Sequence, residues 1–94
     1  MAKKNMKTSS GFSFHIDAEA RDDMELLENI TRFDRGEKDL LPYLISGLLG
    51  EEQKKRLYEH CRGKSGRVSA TAVFTELAEI IKTIQENGDT ETKN

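Results

Sequence analysis

The apolar positions of this chain follow two periods. "FSFHI", residues 12–16, alternates strictly and puts Phe12, Phe14 and Ile16 on one face, the period of a short strand. A lone strand cannot satisfy its own backbone, so this one needs a partner or is extended chain. From Met24 onward the spacing lengthens to three and four. Met24, Leu26, Leu27, Ile30 and Phe33 predict a helix from about Asp22 to Arg35, with Asp22, Asp23 and Glu25 at the dipole's positive end and Gly36 as its stop. A second helix is expected from Asp39, as N-cap, to Gly50, which places Pro42 in a first turn where its missing N–H costs nothing. A third runs from about Glu51 to Arg62 with Gly63 behind it. The fourth has the most continuous stripe, Val73, Phe74, Leu77, Ile80, Ile81 and Ile84. Ser69 is its N-cap, Val68 can staple onto Val73, and Gly88 ends it.

These elements give a mainly α fold, a compact four-helix domain with a short N-terminal strand or extended arm. The folded part is expected over residues 12–87, with polar, disordered segments at 1–11 and 88–94.

The second helix holds an anomaly. In "LLPYLISGLLG", residues 40–50, seven of the ten residues from Leu40 to Leu49 are Leu, Ile or Tyr, in a chain that is 34% charged. At about 100° per residue, Leu40, Leu41, Leu44, Ile45, Leu48 and Leu49 cover roughly half the circumference. That is wider than one packing seam needs. Such a helix is either central, with neighbours on two sides, or it leaves apolar surface for a partner.

Composition narrows the setting. The chain has 94 residues, one domain's worth, and 24 of them are large aliphatic, Phe or Met, enough for one small core. A single cysteine, Cys61, excludes an intrachain disulfide and favours a reducing compartment. The longest apolar run is far below the roughly 20 residues of a membrane span, and "MAKKNMKTSSG" lacks the apolar stretch of a secretory signal. The expected setting is soluble and cytoplasmic. The net charge of −2 is segmented: +3 over residues 1–10, −5 over 17–39, +3 over 51–67 and −3 over 76–94. No block is basic enough to suggest nucleic acid, and the alternation suits neighbouring elements that pair electrostatically.

The residues offer little chemistry. His60 and Cys61 are adjacent, but consecutive helical residues point about 100° apart and do not face each other. His15, the other histidine, has no acidic orienter fixed by sequence, and metal ligation needs more Cys or His than are present. "CRGKSGRVSATA", 61–72, aligns Gly66 with the glycine of a calcium loop, yet offers no carboxylate where calcium would need several. As a DNA-reading unit it would make the fourth helix the reader, and that helix opens with no Arg, Lys, Asn or Gln in its first two turns. No enzyme, cofactor, metal or small-molecule substrate is expected.

The order "DDMELLENI", a charged turn, "LLPYLISGLLGEEQKKRLYEH", then "GRVSATAVFTELAEII" resembles the small tail assembly chaperones of long-tailed phages and prophages of Gram-positive bacteria. The resemblance spans about residues 12–86 and carries no catalytic motif. It implies a small helical protein of the infected cell's cytoplasm, absent from the finished particle. Such a protein coats the hydrophobic tape measure protein and keeps it soluble until the tail tube polymerises. It also implies a longer form made by ribosomal frameshifting; Thr92, Lys93 and Asn94 have codons that permit a slippery A-AAA-AAC run. Two other readings compete: a head–tail connector subunit that stays in the virion, and a small DNA-binding regulator.

A chaperone for a helical client needs an apolar surface with a polar border. Two candidates follow. One is the flank of the second helix formed by Leu41, Ile45 and Leu49 with Tyr43 at its edge. The other is the arm, where Phe12, Phe14 and Ile16 could add to another chain's edge and drive self-association.

Overall fold

The computed structural model describes residues 5–92, without the side chains of 87–92. It is mainly helical, with a two-stranded antiparallel sheet at the start. Strands β1 (Met6–Lys7) and β2 (Ser13–Phe14) pair with Met6 opposite Phe14 and Lys7 opposite Ser13. A one-turn helix α1 (Ala18–Arg21) leads into α2 (Met24–Asp34), then a 3₁₀ turn (Lys38–Leu40), α3 (Leu41–His60) and α4 (Ala70–Thr92).

The strand at "FSFHI" therefore finds its partner within the chain. The turn is built by Thr8, whose N–H bonds the Phe12 carbonyl at 2.9 Å while its Oγ1 accepts from the Phe12 N–H at 3.1 Å. Gly11 closes it at φ 97, a conformation open mainly to glycine. The expected disorder of residues 1–11 gives way here: 5–11 are the first half of a hairpin, and Thr8 is buried. Polar composition misled because this hairpin is held by side chains of the helices as well as by its own ladder. Residues 1–4 lie outside the described part.

Helix α2 starts as its sequence dictates. Asp23 is the N-cap, with its carboxylate accepting from the Leu26 N–H at 3.1 Å, and Leu26, Ile30 and Phe33 form the buried stripe. In α3 the capping expectation fails. Leu40, in an αR conformation with no side-chain cap, precedes the helix, and Asp39 sits in the 3₁₀ turn. The tight turn delivers the chain in near-helical geometry, so no extended N-cap residue forms. Gly50 divides α3 as expected. At φ 78 and ψ 168 it lies in a region almost reserved for glycine and bends the path between residues 41–49 and 51–60.

Past α3, Arg62 bridges Val68 and the Gly63 N–H bonds the Arg67 carbonyl at 2.9 Å, a tight reversal that returns the chain as α4. Ser69 caps α4, accepting from the Ala72 N–H at 3.1 Å. The expected stop at Gly88 is not used: the backbone stays helical to Thr92. A glycine inside a helix costs about 1 kcal/mol against alanine, which by itself does not end one. Lys93 and Asn94, on which the slippage reading rests, lie outside the described residues.

The core is one cluster. Phe12, Phe14 and Ile16 from the hairpin meet Leu26, Ile30 and Phe33 of α2, Leu44, Ile45, Leu48, Leu49 and Leu57 of α3, and Val73, Leu77, Ile80 and Ile81 of α4. Helix α3 packs against both α2 and α4, and Phe33 stacks on Phe74 at 6.0 Å to join α2 to α4. Gly47 lets α2 approach: a Cβ there would stand 2.9 Å from Leu26 Cδ1. Among the described residues, no helix is long and apolar enough to cross a membrane.

Candidate protein-binding surface

The structure answers the either-or posed by "LLPYLISGLLG". Ile45 is fully buried and Leu49 is 6% exposed, both within the core, and Leu41 is half-buried against it. Only Tyr43, at 71% exposure, faces solvent. The half-circumference of apolar residues is the mark of a central helix, not of a groove. The expected flank of Leu41, Ile45 and Leu49 is therefore corrected to core, because α2 and α4 cover it from two sides.

The arm is corrected likewise. Phe12, Phe14 and Ile16 are all buried in the chain's own core. The outer edge of β2, expected to recruit another chain, is already occupied by side chains of α3. Gln53 accepts the His15 N–H at 2.9 Å and donates to the His15 carbonyl at 2.9 Å, as a neighbouring strand would. Its amide also donates to the Leu49 carbonyl, and Arg56 donates to the Ser13 carbonyl at 2.6 Å. A paired edge cannot template a foreign strand.

Beside and opposite its core stripe, α2 carries a surface that its spacing alone did not reveal. Met24 is 66% and Leu27 45% exposed, and with Glu28, Thr31, Arg32 and Arg35 they line a shallow groove of about 350 Å³. The signal was present: at about 100° per residue, Met24 falls opposite Phe33, so the two cannot belong to one stripe. Using all five apolar residues only as evidence of a helical period left its two sides undistinguished. The rim is charged. Arg32 donates through Nε and Nη2 to Glu37 Oε1 at 3.1 and 2.7 Å. That hydrogen bond, more than the charge itself, holds the Glu37 carboxyl below its ordinary range. The pair is solvent-exposed, so it shapes the rim without adding appreciable stability.

A second depression, of about 530 Å³, lies between the hairpin and α3 and is lined by Gly11, Phe12, Ser13, Lys55, Arg56, Glu59 and His60. Beside it, polar groups of α3 and α4 hold the hairpin turn in place. The Ser10 hydroxyl donates to Glu76 Oε2 at 2.7 Å and lies 2.9 Å from His60 Nε2, while Ser9 gives its N–H and hydroxyl to Glu79 at 2.6 and 3.0 Å. With the Ser10 proton directed to Glu76, His60 Nε2 is the donor to Ser10. Activation of a serine requires the reverse, an imidazole that accepts the hydroxyl proton. The arrangement is a clamp. Cys61 lies buried close by, and desolvation, reinforced by the Glu76 charge, pushes its thiol above the usual range, away from the reactive thiolate.

The hairpin side is thus polar and engaged in internal bonds, while the outward side of α2 sets exposed Met24 and Leu27 among charges. No family model, no curated protein and no solved structure matches this chain.

Proposed function

We propose that this protein is a non-enzymatic tail assembly chaperone that binds the tape measure protein of a phage or prophage and keeps it soluble during assembly, with the outward face of α2 as the client surface. The observation that supports the reading is the pairing of exposed Met24 and Leu27 with a charged rim on a well-capped helix. Helix-in-groove recognition uses such a layout, apolar anchors for affinity and border charges for orientation. Tyr43 is a further exposed aromatic, a residue type favoured at interface centres.

Co-expression tests the reading. The tape measure protein made alone should be insoluble, and the wild-type chain should bring it into the soluble fraction. Leu27→Asp should lose that effect while keeping the helical circular dichroism of the parent. A client that stays insoluble beside the wild-type chain would overturn the proposal. So would mass spectrometry of purified particles that found this chain at a ring-like copy number, the result expected of a connector.

A further inference from the structure

The outward face of α2 carries its charges in a symmetric order. Glu25 and Glu28 precede Ile30 by five and two residues, and Arg32 and Arg35 follow it by two and five. All four are exposed, and Ile30 itself points into the core. A helix turned end over end about a two-fold axis beside Ile30 therefore presents arginines where the first presents glutamates.

We propose that this face pairs with α2 of a second copy of the chain, antiparallel, about that axis. The contact is isologous, the same patch on both copies. Glu28 meets Arg32 of the partner subunit, and Glu25 meets Arg35 of the partner subunit, each contact occurring twice. The arginine stems lie over Met24, the exposed apolar residue nearest the midline of this face. Arg32 can serve both Glu37 and a partner, since that pair uses only two of its five N–H donors. A parallel arrangement is excluded by the same pattern, because it would set acid against acid and base against base. The hairpin cannot supply the contact, as Gln53 and Arg56 already fill its outer edge. One face of an 11-residue helix is a small interface, so the pair belongs to the weak, concentration-dependent class.

One corollary rests on the chaperone reading: client and second copy compete for Met24, so the resting dimer covers part of the client surface until a client displaces the partner.

Sedimentation velocity over a roughly hundredfold concentration range tests the pairing. The wild-type chain should move from monomer to dimer. Glu28→Arg alone and Arg32→Glu alone should each raise the dissociation constant by about tenfold or more, since like charges then face each other at both symmetric contacts. An equimolar mixture of the two variants should recover wild-type association, because each chain supplies the sign the other lacks. Loss of the Glu28–Arg32 interaction within a single helix cannot be repaired by mixing, so recovery isolates the contact between copies. A wild-type chain that stays monomeric, single variants that dimerise as tightly as the wild type, or a mixture that does not recover would each overturn the inference. Client solubilisation by a chain that never dimerises would remove the pairing and leave the chaperone reading intact. Dimerisation by a chain that never solubilises the client would do the opposite.

Discussion

Helices α2 and α3 both open with apolar residues on more than one side, and they meet opposite fates. In α3 the extra width is covered: Leu44, Ile45, Leu48 and Leu49 are all buried, because α2 packs on one side and α4 on another. In α2 the second side, Met24 and Leu27, stays in solvent. The difference lies in position within the layers. A central helix needs a wide apolar arc to serve two neighbours, whereas a peripheral helix needs one seam, and any apolar residue beyond that seam has no internal partner. Width on a wheel measures how much must be covered. It does not identify the cover.

The largest effect should come from placing a charge on the covered side. Ile45→Asp puts a carboxylate where the native side chain has no exposure, and an unpaired buried charge costs several kcal/mol, of the order of the whole stability of a small domain. Circular dichroism and urea titration should show loss of the cooperative fold. A helical, cooperatively unfolding Ile45→Asp would mean that α3 can turn this side outward, which would erase the contrast between the helices.

An intermediate effect is expected where α3 is aimed. Gly50→Ala forces a β-carbon into φ 78, ψ 168, and such backbone strain costs about 1–3 kcal/mol. Space is not the difficulty, since nothing stands within 4 Å of the added carbon. The midpoint of urea unfolding should fall with little change in its slope. An unchanged midpoint would show that residues 41–49 and 51–60 reach the core without this bend.

The smallest effect on the fold should come from the open side. Leu27→Asp adds a charge to an exposed position and should shift stability by no more than about 0.5 kcal/mol while abolishing client binding. A large loss of stability would show that Leu27 supports the core after all.

Much of this architecture was legible in the residues. The cap at Ser69, the acidic start of α2, the break at Gly50 and the stripe of α4 follow from local rules that act within a few positions. The hairpin was only half legible. Phe12, Phe14 and Ile16 announced a strand, but its partner, residues 5–8, carries no alternating apolar pattern, and the turn between them is fixed at Ser10 and Ser9 by Glu76 and Glu79, 66 and 70 positions away. Such bonds leave no periodic trace. The binding surface was misplaced for a related reason. Hydrophobicity marked the densest segment, and density proved to be the signature of centrality, while exposed Met24 and Leu27 stood unremarked among the residues of a core-forming helix.

The clasp of Gln53 on His15 has a consequence for the molecule's motions. An amide at the end of a two-residue ladder would ordinarily exchange its hydrogen with solvent through simple fraying, within the least stable part of the structure. The His15 amide is bound instead by a carboxamide rooted in α3, so deuterium can reach it only when the hairpin and α3 separate. Its exchange rate thus becomes a gauge of that separation, reporting the free energy of lifting the whole hairpin from the helices. Gln53→Ala should turn this one slow amide into a fast one and leave the amides in the middle of α4 as protected as before.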